Sequence, residues 1–275
     1  MSNKNLTLND AFKLAVKNHQ NNDLQDAQNY YQQVLELDPN HSETLNNLGV
    51  IFLGWGENQK AKDCFEKAIE HKPDYVGALN NLGIIFQRLG ENQKAKKCFE
   101  KAIEHKPDYV DAHNNLGNIF KDLGEYQKAK YCFEKAIEIN PNYAIARNNL
   151  GNIFKDLGEY QKAKDCFEKA IEIDPDREAF YSSLSTLYTG KLDELEKSIN
   201  LSYKALKIYQ NNSKFINQSI PLFKLKHDVQ QAQYLISKNY KINGIDEFQK
   251  VGSEILNRKG NKEIENNSKK KILLT

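Results

Sequence analysis

A period of 34 residues runs through this chain and limits its fold more than any other feature. Gly49, Gly83, Gly117 and Gly151 stand one period apart, as do Ala61, Ala95, Ala129 and Ala163. Phe65, Phe99, Phe133 and Phe167 keep the same register, and Pro39, Pro73, Pro107, Pro141 and Pro175 mark the ends of successive repeats. Self-similarity of this length is the mark of a stacked array, in which each repeat touches only its neighbours and no single large core is needed. A chain of 275 residues would otherwise suggest about two domains. The period replaces that estimate.

Each repeat reads as two helices. In the fourth, Ala112, Leu116, Ile119, Phe120 and Leu123 fall on one helical stripe, and Ala129, Phe133, Ala136 and Ile137 on a second. Gly124 lies between them, where a left-handed C-terminal cap belongs, and Pro141 closes the repeat. Helices of about 13 residues are marginal alone in water, so the stripes must be buried against each other and against the next repeat. Gly117 inside a helix costs about 1 kcal/mol relative to Ala, which predicts a close approach of neighbouring backbone there. Ala129 and Ala136 are the small surfaces expected opposite. The internal repeats are near copies: 114–141 and 148–175 differ only at Tyr131/Asp165 and Asn140/Asp174, and 56–76 and 90–110 only at Asp63/Lys97. Their interfaces are therefore expected to be one interface repeated.

The pattern Asn-Leu-Gly, an aromatic residue three positions on, then Ala, Phe, Ala and Pro at this spacing resembles the tetratricopeptide repeat. The resemblance implies an all-α fold, a right-handed superhelical solenoid of antiparallel helix pairs. It covers five repeats, 8–41, 42–75, 76–109, 110–143 and 144–177, with a degenerate sixth over 178–211. The first is looser, with Ala15 for the motif glycine and Asn18 for the aromatic, but it keeps Ala27, Tyr31 and Pro39. In the sixth, Tyr181, Leu184 and Tyr188 suit a first helix. Residues 1–211 thus read as the array and 212–257 as a helical C-terminal cap, with candidate helices at 228–240 and 245–256. Residues 258–275, which include Lys269, Lys270 and Lys271, read as a basic mobile tail.

Charge and composition narrow the function classes. Thirty-nine Lys and Arg against 37 Asp and Glu leave +2, too even a balance for a polyanion partner, so nucleic acid is not expected. The first residues lack the apolar core of a signal peptide, and no stretch approaches the ~18 apolar residues of a membrane span, so the expectation is a soluble cytoplasmic protein without membrane attachment. Cys64, Cys98, Cys132 and Cys166 occupy equivalent places on successive repeats, at least ~8–10 Å apart by helix packing. That is too far for a disulfide or a shared metal, and they read as small apolar fillers beside the packing Phe residues. His71 and His105, one period apart, are dismissed as metal ligands on the same ground.

No catalytic constellation, phosphate-cradling loop or nucleophile motif appears, and neither cofactor nor metal is expected. Lys130 and Glu134 are an i,i+4 pair on a solvated outer face rather than acid/base groups. The informative feature is a row of amides. Asn47, Asn81, Asn115 and Asn149 recur as the second residue of each Asn-Asn-Leu-Gly, and Asn118 and Asn152 follow one turn later on the same face. In the tetratricopeptide family the first helix of each repeat lines the concave groove, so the resemblance implies an amide ladder along it, similar to that of O-linked N-acetylglucosamine transferase repeat domains. A primary amide carries donor and acceptor and can pair with a peptide group without reading side chains. The alternative is that these amides meet only water or neighbouring backbone. Lys121 and Lys155, with Asp122 and Asp156 beside them, stand one turn further, where the third repeat has Gln87 and Arg88, and Asp111 is expected at the groove's lip. The resemblance does not extend to the basic clamp with which chaperone-binding members grip a C-terminal carboxylate, because the matching positions hold Asn46, Val50, Gly77 and Asn81.

The sequence therefore predicts a non-enzymatic scaffold that binds an extended peptide or a partner helix. Two other classes stand beside it. The array could recognise substrate for a glycosyltransferase or oxygenase domain on another chain, since the residues after 211 are too few for a domain of the usual size. Near-identical interfaces also leave self-association open.

Overall fold

The computed structural model describes residues 6–190, which form eleven α-helices and no strand. The expected second helix of the sixth repeat, the C-terminal cap and the basic tail lie outside the described residues. The chain divides into two compact bodies, Met1–Pro141 and Asn142–Thr275. The first holds four helix pairs: α1 (Leu8–Gln20) with α2 (Leu24–Leu37), α3 (Ser42–Gly54) with α4 (Asn58–His71), α5 (Val76–Arg88) with α6 (Asn92–His105), and α7 (Val110–Asp122) with α8 (Tyr126–Ile139). The second holds the pair α9 (Ala144–Asp156) and α10 (Tyr160–Ile173), followed by α11 (Glu178–Gly190). The fold is an all-α solenoid built of helix pairs. In α11 Tyr181, Leu184 and Tyr188 are buried, as a first helix of the array requires.

The turn inside each pair is made by one residue with positive φ. Gly56, Gly90, Gly124 and Gly158 have φ of 78°, 73°, 75° and 79°, a left-handed conformation in which glycine carries no Cβ penalty. Around Gly124 the amide N–H of Glu125 donates to the Phe120 carbonyl at 2.8 Å and that of Gly124 to the Lys121 carbonyl at 2.9 Å. These are the two bonds of a Schellman cap, which satisfies carbonyls that a helix end otherwise leaves open. The first repeat makes the same turn with Asn22, at φ 65°, the only described non-glycine residue with positive φ.

Inside each pair the structure corrects the reason for the other glycines. A Cβ at Gly117 would lie 2.7 Å from Cε1 of Phe133, and at Gly49, Gly83 and Gly151 the corresponding distances to Phe65, Phe99 and Phe167 are 2.5, 2.5 and 2.6 Å. What approaches is the ring of the second helix of the same repeat, not a neighbouring backbone. Each ring is fully buried. The first repeat carries Ala15 and Tyr31 at these places, both fully buried, and the Tyr31 hydroxyl lies 3.3 Å from Nδ1 of His19.

Contacts between successive pairs use small residues. Ala68 of α4 packs with Leu45 and with Ala78 of α5, and Ala102 of α6 packs with Leu79 and with Ala112 of α7. In the second body Ala170 of α10 meets Ala144 and Phe180. Lysines flank the rings beside these seams, one from the preceding pair and one from the same pair: Lys62 and Lys94 approach the Phe86 ring at 5.7 and 5.3 Å, and Lys96 and Lys128 approach Phe120 at 5.2 and 5.4 Å. Each such contact attracts a cation to the face of an aromatic ring while the aliphatic stem covers apolar surface.

Candidate functional site

The first helices carry the amides. The spacing Asn115, Asn118, Lys121 puts three side chains on one stripe of α7, because residues three apart are neighbours on a helix surface. Asn47, Asn81, Asn115, Asn118 and Lys121 are all half-buried in the first body, and Asn149, Asn152 and Lys155 are half-buried on α9 of the second. Asp111 and Arg88 are exposed.

Within the first body the row is a hydrogen-bonded ladder. The Asn81 amide N–H donates to Oδ1 of Asn46 at 3.0 Å, and that of Asn115 donates to Oδ1 of Asn80 at 2.9 Å. Within a rung, Asn46 donates to Oδ1 of Asn47 at 3.3 Å and Asn114 to Oδ1 of Asn115 at 3.4 Å. One step along, Gln87 donates to the Asp122 carboxylate at 3.4 Å. Asn81 and Asn115 therefore find their first partners in the amides of the adjoining repeat.

These bonds name residues that sequence reading passed over. Asn46, Asn80, Asn114 and Asn148 are only 5–8 % exposed, and as buried polar groups each must be satisfied or cost stability. The signal for them is the doubled Asn of each Asn-Asn-Leu-Gly. Burial raises the Tyr75 hydroxyl above its ordinary range, the nearby Glu43 carboxylate adds to the rise, and a hydrogen bond with Asn46 offsets part of it. In the second body Asn152 donates to the Asn148 carbonyl oxygen at 3.2 Å, and Lys155 to Oδ1 of Asn152 at 3.3 Å. Beyond α9 the doubled amide is not continued: Ser183 stands one period after Asn149 and donates instead to the Ala179 carbonyl at 2.9 Å, while Oδ1 of Asn148 has no hydrogen-bond partner.

Three of the cysteines and one histidine serve packing and local structure. Burial pushes the thiols of Cys64 and Cys98 up to about 11 and that of Cys132 up to about 12, so at neutral pH they are uncharged fillers. His113 is buried on α7, and its Nε2–H donates to the Pro107 carbonyl at 2.8 Å, tying a helix to the turn that precedes it. Among the described residues no group of His, Cys, Asp or Glu could hold a metal, and no helix is long and apolar enough to cross a membrane.

Comparison with known proteins agrees with this architecture. The tetratricopeptide repeat family model matches residues 42–75, 76–109, 110–143 and 144–177, and a second tetratricopeptide repeat model matches 12–41. No curated protein matches the sequence. Among solved structures, MamA is 29% identical, with a TM-score of 0.52 over 59% of this chain and 95% of its own. PilW, described as a widely conserved type IV pilus biogenesis factor, shares the fold at 19% identity, with a TM-score of 0.68 over 76% of this chain and 96% of its own. YrrB, described as a TPR protein with an unusual peptide-binding site, shares it at 21% identity, with a TM-score of 0.51 over 68% and 96%. The doubled amides, the capping glycines and the glycine–phenylalanine pairs thus sit on a known frame, and the chain belongs to the tetratricopeptide repeat family.

Proposed function

We propose that this chain is a cytoplasmic, non-enzymatic interaction scaffold that holds an extended peptide or a partner helix along its first-helix face. The observation that carries the proposal is the unused capacity of the ladder. A primary amide has two N–H donors and two acceptor lone pairs. Asn115 spends one donor on Asn80 and one lone pair on Asn114, which leaves one of each. A peptide group presents the complementary pair, and the row resembles the asparagine ladder of O-linked N-acetylglucosamine transferase repeats in this respect. The bonds between rungs hold the Asn81 and Asn115 amides in one orientation before a ligand arrives, which reduces the ordering cost of binding.

Replacing Asn81, Asn115 and Asn149 together by Ala tests the proposal. Three lost bonds of about 0.5–1.5 kcal/mol each should weaken partner capture by roughly tenfold to a thousandfold. Capture is read by pull-down with mass spectrometry against the wild type, and helical circular dichroism should be unchanged. Asn81 and Asn115 also bond to the preceding repeat, so a urea titration run in parallel separates loss of binding from loss of stability. Undiminished capture by the triple variant would sink the assignment of this face.

A further inference from the structure

In the four repeats after the first, the first helices are of two kinds, although the second helices are near copies. From the doubled Asn onward α3 continues Leu48-Gly49-Val50-Ile51-Phe52-Leu53-Gly54 and α5 continues Leu82-Gly83-Ile84-Ile85-Phe86-Gln87-Arg88, whereas α7 and α9 both continue Leu-Gly-Asn-Ile-Phe-Lys-Asp. The core positions are common to all. The differences fall at Val50, Ile84 and Asn118, three residues after the rung amide, at Leu53, Gln87 and Lys121, one turn further on the same stripe, and at Gly54, Arg88 and Asp122 beside them.

These positions are less buried than their core neighbours. Val50 is 37 % exposed and Ile84 is partly exposed, while their neighbours Ile51 and Ile85 are at 1 % and 0 %. An aliphatic pair thus lies outside the core on α3 and α5. On α7 the matching place is an amide, followed by Lys121. Lys60, Lys62, Lys94, Lys96 and Lys128 on the second helices pair with glutamates, but Lys121, half-buried, makes no ion pair among the described residues.

We infer that the first-helix face of the first body reads side chains in two parts: Val50 and Ile84 take an aliphatic side chain, and Lys121 with Asn118 takes a carboxylate. The ligand is then an extended peptide carrying an aliphatic residue and an Asp or Glu about three residues apart, since packed helices lie ~8–10 Å apart and an extended chain rises ~3.3 Å per residue. The inference rests on the peptide-binding reading above: the ladder amides engage the backbone, and these positions add the selectivity that the amides lack. Apolar contact and charge complementarity both weigh against a uniformly charged ligand.

A random decapeptide library displayed on phage and selected on the full chain tests this. Wild type should enrich an aliphatic and an acidic residue three positions apart, in one order. Lys121→Gln should lose the acidic preference, keep the aliphatic one and weaken the selected peptides roughly two- to fivefold at low salt, and Lys121→Arg should restore them. Val50→Asn with Ile84→Asn should lose the aliphatic preference alone. An identical consensus in all variants overturns the inference, and so does an aliphatic–acidic spacing of about six or seven, which belongs to a docked helix at 1.5 Å per residue. A library that yields no binder at all removes the peptide-binding reading itself, and the inference with it.

Discussion

The two helices of each repeat answer to different constraints. The second helices of the four repeats after the first carry the same buried Ala–Phe–Ala series, Ala95, Phe99 and Ala102 in one repeat and Ala129, Phe133 and Ala136 in the next, and an outer face of Lys–Glu pairs. The first helices of those repeats keep Leu, Gly and Ile in the core but vary at Val50, Ile84 and Asn118. A helix whose apolar residues must fit a glycine notch on one side and an alanine seam on the other has little freedom left. A helix with one stripe facing outward can change there without disturbing the stack. The difference therefore separates the residues that build the array from those that face a ligand.

The largest effect expected from breaking this division is at the notch. Gly117→Ala adds a Cβ 2.7 Å from the Phe133 ring, and although Ala favours a helix by about 1 kcal/mol, overpacking near the top of its usual range of about 1–3 kcal/mol should dominate, with a net loss of about 2 kcal/mol in urea titration followed by helical circular dichroism. A variant as stable as wild type would mean that the ring can move aside. Next comes the ladder. Asn80→Ala removes a buried acceptor and strands the Asn115 donor, and should cost about 1–2 kcal/mol, which would place the first Asn of each doublet with the stack rather than with the ligand. The smallest effect belongs to the outer face of the second helices. Lys130 and Glu134 pair at 3.8 Å with the glutamate about half exposed, so Lys130→Ala should change stability by less than about 0.5 kcal/mol, and less still in high salt.

Much of this frame is legible in the sequence. Gly124 read as a left-handed cap, and its φ of 75° with the two bonds around it bears that out. The cysteines read as fillers, and Cys132 is buried with a strongly raised thiol. Gly117 was misread, because the ring that excludes a side chain comes from 16 positions later in sequence, and only the angle at which the two helices cross decides whether ring or backbone fills the space. Asn46, Asn80 and Asn114 were passed over because adjacent residues on a helix point about 100° apart, and nothing in the pattern says which of two asparagines turns toward the next repeat.

The sequence by itself determined the helix pairs, their turns and the period, because these depend on local rules: apolar residues at helical spacing, a residue that tolerates positive φ, and a proline that ends the repeat. Only the tertiary structure decided how the amides are spent. Asn81 reaches Asn46 across 35 positions of chain, a pairing set by the side-by-side packing of α3 and α5, and that pairing turns a row of identical residues into a ladder with one donor and one acceptor left over on its Asn115 rung.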